Sequence, residues 1–335
     1  MRLSNGQAWL ELDPFGANIA DAVLYADGLP IRPFFQNPWR DDPCDMDNLT
    51  RHLGGEWPCV PFGGTVIPDG LPDDWRCGAN RSDWHRHAHG FGAHSVWSLR
   101  KQDEQTALAE IMYPDTGPIA GLKRRVHLLS QTEIRIDLEI IARFDAKIPV
   151  GVHPVLSLAD AAPNTAFLRI AGEQSAWTFP MEVEPGHSYL QPDQRNVPLS
   201  SLLRSDGVPC DAGCLPFPAK SEDLILLSAP GGLVSLVRPD LGYRVDVGWN
   251  HLDLPSCLVW LSNCGRRHAP WNGRVKAVGI EPVAAAFDLG IAHSASTTTP
   301  LARHGIRNFV DLCEGKTWET SYAISVHQED LEGAP

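Results

Sequence analysis

The sequence lacks the short motifs that bind nucleotide cofactors, and it lacks long apolar runs. No GxGxxG or GxxxxGK[ST] segment occurs in its 335 residues, so we expect no nicotinamide or flavin cofactor. The first 20 residues hold no apolar run of signal-peptide length, and no stretch approaches the roughly 20 apolar residues that span a bilayer. These absences predict a cytoplasmic protein with no membrane partner.

Positive charge is also scarce. Lys and Arg number 28 against 41 Asp and Glu, and the formal net charge is −13. A surface of this sign repels the phosphates of nucleic acids and of anionic lipids. We therefore expect no nucleic-acid partner, and a small molecule as the ligand.

The eight cysteines form no CxxC pair and show no zinc-ribbon spacing. Two of them, Cys210 and Cys214, are four residues apart, but no second pair has matching spacing. Structural disulfides are rare in the cytoplasm. We therefore expect reduced thiols at Cys44, Cys59, Cys77, Cys210, Cys214, Cys257, Cys264 and Cys313.

Alternation of apolar and polar residues is the clearest pattern that is present. In the run 133–141, four apolar residues on one face of a strand alternate with polar ones: Ile134, Ile136, Leu138 and Ile140. Further β-rich runs cover residues 122–129, 224–228, 233–237, 243–249, 258–262, 275–280 and 318–327. The Pro-Gly-Gly sequence at 230–232 predicts a hairpin between two of them.

Helical periodicity is rare, and 28 Pro and 29 Gly residues punctuate the chain as turns. Many short strands between turn signals are typical of an antiparallel sandwich. The chain is therefore predicted to be all-β, with few helices. We expect one large antiparallel β-sandwich domain over residues 1–335, since no linker or repeat divides the sequence.

Residues 30–90 form a long segment that is rich in Pro, Trp, Asp and Gly and has little periodicity. Long irregular segments are uncommon in compact domains unless they serve a function. The segment is therefore either a cover over a site or a surface loop packed by its own aromatic residues.

Three histidines with a spacing of two occur in this segment, at His85, His87 and His89. On an extended backbone they would share one face, and neutral imidazoles bind zinc well. One hypothesis is therefore a metal site for a lyase or hydrolase. The others are loop histidines with no ligand, or His89 alone as a hydrogen-bond donor to a ligand.

Two further residues could do acid–base chemistry. His153 lies inside an apolar run at 150–158, where it is either a core histidine or a general acid. Glu281 follows the apolar run 276–280 and precedes Pro282, and a carboxylate there is either at the rim of the sheet or functional. Together they would supply the base and the acid that sugar ring opening needs.

Four segments, in this order, resemble conserved segments of the aldose 1-epimerases and hexose-6-phosphate 1-epimerases. They are GGEWPCVPFG at 54–63, HGFGAHSVWSL at 89–99, VHP at 152–154 and GIEP at 279–282. They extend over most of the chain. The resemblance implies a galactose mutarotase-like β-sandwich with a sugar site on its concave face and no cofactor or metal.

The resemblance also implies roles for individual residues. His89 would bind the sugar, His153 would be the general acid, and Glu281 the general base of an aldose 1-epimerase. Where the phosphate-accepting relatives have Ala-Arg after His-Gly-Phe, this chain has Gly92 and Ala93. A free aldose is therefore the expected substrate.

The arginine that contacts sugar hydroxyls in the family has no recognisable counterpart. Arg51, Arg76 and Arg81 are the alternatives, with Arg51 our candidate. Tryptophan rings stack on the C–H faces of sugars. Candidates for this contact are Trp57, Trp84, Trp249 and Trp260, of which Trp57 and Trp84 lie in the loop-rich segment.

Two other functions remain open from the sequence. One is a carbohydrate-binding or sugar-sensing protein that keeps the sandwich without turnover. The other is the metal-dependent lyase or hydrolase built on His85, His87 and His89. A homodimer is compatible with any of the three functions.

Overall fold

The strands and helices are taken from a computed structural model, which describes residues 1–43, 45–77, 84–172, 175–228 and 230–329. In chain order, the strands of the first third are β1 (Arg2–Ser4), β2 (Trp9–Asp13), β3 (Asn18–Ala26), β4 (Leu29–Ile31), β5 (Pro58–Cys59), β6 (Ser98–Lys101) and β7 (Thr106–Met112). Next come β8 (Ile119–Leu128), β9 (Glu133–Ala142), β10 (Ala146–Ile148), β11 (Val150–Val152), β12 (Val155–Ser157), β13 (Ala166–Ile170), β14 (Ser175–Thr178), β15 (Leu202–Leu203), β16 (Pro209–Cys210) and β17 (Cys214–Leu215). The last are β18 (Ser221–Ser228), β19 (Leu233–Arg238), β20 (Tyr243–Trp249), β21 (Ser256–Asn263), β22 (Lys276–Ala284), β23 (Val310–Leu312) and β24 (Thr317–Gln328).

The helices of the described ranges are short. They are the α-helices α1 (Asn48–Arg51), α2 (Gly290–Ala295) and α3 (Pro300–Arg303) and the 3₁₀ turns Asp73–Trp75, Phe91–His94, Leu199–Ser201 and Pro239–Leu241. No helix among the described residues has the length and apolar character to cross a membrane.

Two large antiparallel sheets dominate the described part of the chain. One has nine strands in the order β17-β13-β19-β20-β24-β9-β8-β7-β6. The other has seven: β14-β18-β21-β22-β11-β5, with β12 also paired to β22. A sheet of β1 to β4 and two small pairs, β10-β23 and β15-β16, complete the strands. The prediction of a large antiparallel all-β architecture with few helices is confirmed.

The seven-stranded sheet is buried on both faces. One face contributes residues such as Ile225, Val259 and Ile280 to the core shared with the nine-stranded sheet. The other face contributes Leu224 and Trp260 to a second core, which irregular segments cover. Strands buried on both faces read as continuous apolar runs, as β18 and β21 do.

The alternation in β9 matches the core. The four apolar residues of that strand are fully buried, as predicted: Ile134, Ile136, Leu138 and Ile140. The burial follows from the side-chain period of two, which points every second residue of a strand at the same face.

The hairpin predicted at 230–232 is wrong. The two runs it joins are β18 and β19, and they belong to different sheets. β18 pairs with β14 and β21, while β19 pairs with β13 and β20. The Pro-Gly-Gly segment therefore carries the chain from one layer of the sandwich to the other.

The described cysteines form no disulfide, and Cys44 lies outside the described residues. Cys59 and Cys257 are buried, and burial raises the pKa of both thiols well above the ordinary value.

Candidate functional site

A cavity of about 390 Å³ lies over the covered face of the seven-stranded sheet. Its floor comes from β18, β21 and β22, and its rim comes from the irregular segments. Its lining residues are Asp47, Leu49, Thr50, Leu53, Trp57, Ala88, His89, His94, His153, Val183, Leu224, Leu258, Trp260, Arg266, Trp271, Glu281 and Asp288. Seven of them come from the irregular segment 30–90, so this segment covers a cavity.

A break in the strand ladder brings His153 to Glu281. The N–H of Ile280 donates to the carbonyl of Pro154, and N–H groups on the same side of a strand recur every second residue. The next such position is Pro282, which has no N–H. The neighbouring strand is interrupted at this point, between β11 and β12, and the interruption contains His153.

Glu281 lies inside a strand, which corrects the expectation that it ends one. β22 continues through Pro282 to Ala284, because β21 pairs with it on the other side as far as Val283. The carboxyl group folds back over Gly279, where an added Cβ would lie 2.4 Å from Oε1 of Glu281. The absence of a side chain at this position makes room for the carboxyl group.

The two side chains form a buried acid–base pair. Nε2 of His153 lies 3.4 Å from Oε1 of Glu281, and the residues are 6% and 1% exposed. Burial lowers the pKa of His153 well below its usual value, and the neighbouring His89 adds to this effect. Burial, followed by the charge of Asp288, raises the pKa of Glu281 well above its usual value.

Aromatic rings hold His153 in place. The ring of Trp57 stacks on it, with centroids 4.3 Å apart and an angle of 17° between the planes. His89 and Trp260 meet it edge-on, with centroids at 5.5 and 6.2 Å. The backbone N–H of His153 donates to the carbonyl of Trp57. This hydrogen bond attaches the segment between β11 and β12 to the residue that precedes β5.

His89 reaches the cavity through a tight turn. Its φ is +59°, that of Gly90 is +88°, and its backbone N–H donates to the carbonyl of Gly63. A Cβ on Gly90 would lie 1.9 Å from the carbonyl oxygen of Val60, so only glycine fits there. Burial lowers the pKa of His89 to about 4, so the ring is neutral at pH 7.

A second carboxyl group, Asp288, faces the cavity beside His89. Its Oδ1 lies 3.9 Å from Nε2 of His89. Burial raises the pKa of Asp288 to about 6. The positive charge of Arg266 and a hydrogen bond from the backbone N–H of Gly64 act in the opposite direction. The cavity therefore contains two carboxyl groups with raised pKa values, each near an imidazole.

Buried polar atoms without a hydrogen-bond partner among the described residues cluster here. Those that belong to lining residues are Trp57 Nε1, His89 Nδ1, His153 Nδ1, Glu281 Oε1 and Asp288 Oδ1. Unsatisfied buried polar groups are costly, and native proteins rarely retain them without a function. Their grouping makes this cavity the candidate functional site.

Arg266 is the arginine that lines this cavity. It follows β21, and its guanidinium lies 4.4 Å from the ring centroid of Trp271 and 5.6 Å from that of Trp260. Its Nε lies 3.7 Å from Oε2 of Glu222, which accepts a hydrogen bond from Trp260. Glu222 and the two rings therefore hold the guanidinium at the wall.

The arginines considered from the sequence lie elsewhere. Arg51 is in α1 but does not line the cavity, since Nη1 donates to the carbonyls of Arg40 and Asp42. Arg76 contacts the carbonyl of Leu71 and the carboxyl of Asp73. Arg81 lies outside the described residues.

The tryptophans divide between the cavity and other places. Trp57 and Trp260 line the cavity. Trp84 lines a neighbouring cavity of about 320 Å³, which is formed with Phe91 and Tyr113. Trp249 packs in the core between the large sheets, where its Nε1 donates to the carbonyl of Leu254 at 2.7 Å. We therefore do not assign Trp84 and Trp249 to the cavity of His153 and Glu281.

The three histidines of the metal hypothesis do not converge. His89 lines the cavity of the acid–base pair, whereas His85 and His87 line the neighbouring cavity. Within the described ranges, no group of three or more His, Cys, Asp and Glu side chains has the geometry to hold a metal ion.

Sequence reasoning missed Asp288, Arg266 and Trp271. Each follows a strand by several residues in an irregular segment. No spacing marks such positions, because the fold of the loop and not the period of a strand brings them to the cavity.

No protein-family model and no curated protein matches this chain. Solved structures do match it over nearly all of its length. A protein from Escherichia coli K12 that is provisionally named an aldose 1-epimerase superposes with a TM-score of 0.64 at 14% identity, with 98% of each chain covered. A galactose mutarotase related enzyme from Lactobacillus acidophilus gives 0.62 at 13% identity, again with 98% of each chain covered. For a GalM/aldose epimerase homologue from C. elegans the values are 0.57 and 12%, with 98% of this chain and 99% of that chain covered. The chain therefore has the galactose mutarotase-like fold.

Proposed function

We propose that the protein is an aldose 1-epimerase, which interconverts the α- and β-anomers of a free aldose by opening and closing the sugar ring. The observation that carries the proposal is the buried pair, with His153 Nε2 3.4 Å from Glu281 Oε1 at the floor of a cavity. The unpartnered polar atoms around the pair support a ligand with several hydroxyl groups. The names of the structural neighbours support the same chemistry.

Ring opening needs a base at the anomeric hydroxyl and an acid at the ring oxygen. Both oxygens are bonded to C1, so two groups about one hydrogen-bond length apart can reach them. Glu281 takes the proton of O1 while His153 gives a proton to O5 as the C1–O5 bond breaks. The aldehyde then rotates about C1–C2 and closes on its other face, with both proton transfers reversed.

The pair shares one proton. Burial disfavours charge on both groups, so neutral His153 and protonated Glu281 are favoured before a sugar binds. Sugar hydroxyls that enter the cavity donate to the carboxylate and accept from the imidazolium, and hydrogen bonds to a charged form favour that form. In the occupied cavity the proton therefore lies on His153, and Glu281 is the base.

The other polar groups orient the sugar. Trp57 Nε1 and His89 Nδ1 have no partner among the described residues, and each can bond a hydroxyl group. His89 is neutral, so it can donate with one ring nitrogen and accept with the other. The pair itself does the chemistry, and these groups hold the anomeric carbon against it.

The test is the rate at which freshly dissolved α-aldoses reach anomeric equilibrium, followed by optical rotation. The protein is expected to accelerate it. Glu281→Gln keeps the shape of the side chain but cannot accept a proton at neutral pH, and a loss of about 10²–10⁴-fold in kcat is expected. His153→Asn is expected to lower kcat as well, because water must then protonate O5.

Glu314→Gln and His251→Asn are matched controls, since both residues are exposed and remote from the cavity. Thermal unfolding of each variant separates lost chemistry from lost fold. Undiminished turnover in Glu281→Gln would show that another residue is the base. If no aldose reacts but sugars still bind, the protein is a carbohydrate-binding protein.

A further inference from the structure

The lining of the cavity includes both polar and apolar side chains. Its unpartnered polar atoms belong to the acid–base pair and to three further residues: Trp57 Nε1, His89 Nδ1, His153 Nδ1, Glu281 Oε1 and Asp288 Oδ1. The other polar lining groups have partners in the protein. Thr50 donates to Asp47, and His94 Nε2 bonds the carbonyl of Ala88.

The strand register places an apolar wall directly beside the base. Leu258 of β21 pairs with Glu281, and paired residues of antiparallel strands share a face. In the next row, Leu224 pairs with Trp260, which pairs with Gly279. Leu49, Leu53 and Val183 are further apolar side chains of the lining.

The leucine and valine side chains of this wall offer no hydrogen bond to a sugar. Arg266 lies beside the wall, where its guanidinium contacts the rings of Trp260 and Trp271 and its Nε lies 3.7 Å from Glu222. A hydroxyl group pressed against the wall would lose its water without gaining a partner. A sugar carbon without a hydroxyl group loses nothing there.

The charges of the lining oppose an anionic sugar. Arg266 is the single Lys or Arg among the described residues that line the cavity, and the same lining contains three carboxyl groups: Asp47, Glu281 and Asp288. Glu222 also compensates its charge. A phosphate at this wall would meet more negative than positive groups.

We propose that the substrate is a neutral 6-deoxyhexose, whose methyl group packs against Leu224, Leu258 and Trp260; this inference rests on the function proposed above. C1 lies at Glu281 and the ring oxygen at His153. The next ring atom is C5, and its substituent lies beyond the ring oxygen. Within the apolar wall, the ring of Trp260 meets the ring of His153 edge-on, with centroids 6.2 Å apart. The substituent of C5 therefore meets Trp260 and its neighbour Leu224.

The test compares sugars that differ at one position within the galacto, gluco and manno series of both D and L forms. In each series, kcat/KM for anomer exchange is measured for the hexose, its 6-deoxy form, its 2-deoxy form and its 6-phosphate. In the best series, the 6-deoxy sugar is expected to exceed the hexose by about 10- to 100-fold, the range by which an apolar pocket rejects an added hydroxyl group. Equal values, or a preference for the 2-deoxy or phosphorylated sugar, would overturn the assignment.

Leu224→Asn and Leu258→Asn place an amide on the wall with little change of volume. Each is expected to lower the preference for the 6-deoxy sugar at least tenfold, while Leu252→Asn, a substitution at a residue that is 74% exposed, leaves it unchanged. A preference that survives both wall variants, shown to be folded by thermal unfolding, would place the methyl group elsewhere.

Binding to Glu281→Gln separates the two proposals. Kd values for the 6-deoxy sugar and its parent hexose, measured by calorimetry, test the wall even if the protein catalyses nothing. If the protein turns over hexoses without preferring their 6-deoxy forms, the proposed substrate class is wrong but the proposed enzyme activity stands. Binding with the 6-deoxy preference but no turnover refutes the enzyme and leaves the wall's role intact.

Discussion

Asp288 lines the same cavity as His153 and Glu281. Its carboxyl group lies near His89 and raises the pKa of Glu281 by its charge. The other charged or titratable side chains among the described lining residues are Asp47, His89, His94, His153 and Arg266, and the charge of Glu281 also acts on the buried thiols of Cys59 and Cys257. The negative charge of Asp288 disfavours the ionised form of Glu281.

Asp288→Asn is therefore expected to move the pH limb that reports Glu281. A negative neighbour favours the protonated form of a carboxyl group, so the pKa of Glu281 is higher with Asp288 than without it. Removing the charge lowers this pKa, and the corresponding limb of the kcat/KM profile shifts to lower pH. The shift is measured from kcat/KM over a range of pH. Asp311→Asn, at an exposed position of β23, is the control. A limb that stays in place while activity falls would mean that Asp288 only supports the loop.

At the scale of elements, β22 and its neighbours build the site. Pro282 interrupts one ladder and admits His153, while the intact ladder to β21 supplies Leu258 and Trp260. Gly279 leaves the space in which the carboxyl of Glu281 folds back. One strand therefore sets the positions of Glu281, His153 and the apolar wall.

Gly279→Ala is expected to lower kcat more than it raises KM. Its Cβ would lie 2.4 Å from Oε1 of Glu281 and 3.2 Å from Cβ of Trp260, so the carboxyl group must leave its present position, 3.4 Å from His153 Nε2. A displacement of this kind costs roughly 10²-fold in rate. Gly248→Ala in β20 is the matched control, because an added Cβ there meets nothing closer than 3.9 Å. Normal kcat in Gly279→Ala would show that the observed position of the carboxyl group is not required.

Local sequence patterns predicted where the strands lie better than they predicted which strands pair. The alternation of Ile134 to Ile140 gives the buried face of β9, and residues 243–249 coincide with β20. The Pro-Gly-Gly segment does not form the predicted hairpin, because a tight turn has the same sequence features in a hairpin and in a connection between two sheets. Pairing depends on long-range burial, which no local window contains.

The residues of the candidate site likewise divide into those that the sequence could identify and those that it could not. His153, Glu281, His89 and Trp57 could be named from the sequence because they lie in or beside recognisable segments, and the structure places them around one cavity. Asp288 and Arg266 could not be named, because irregular segments carry them. The apolar wall could not be named either, since Leu224 and Leu258 become neighbours of Glu281 only through strand register.

At the scale of the whole molecule, a buried ionic network ties the layers together beneath the site. Arg124 of β8 bonds the carboxylate of Glu56, and the hydroxyl of Tyr322 in β24 donates to the same carboxylate at 2.5 Å. Arg124 also donates to the carbonyl of Ala17. Glu56 precedes Trp57, so the network joins the nine-stranded sheet to the segment that holds the stacking ring of His153.

Glu56→Gln is expected to destabilise the fold by about 3–5 kcal/mol, because it leaves the charge of Arg124 buried without a counter-ion. Both residues are 0% exposed, so water cannot replace the lost partner. Urea unfolding measures the loss, and Asp137→Asn is its control, since the pair of Arg135 and Asp137 is exposed and its loss costs at most about 1 kcal/mol. If the two variants were equally stable, the hydrophobic cores alone would hold the layers in register. A loss confined to Glu56→Gln would instead show that the stability of the fold depends on this buried network.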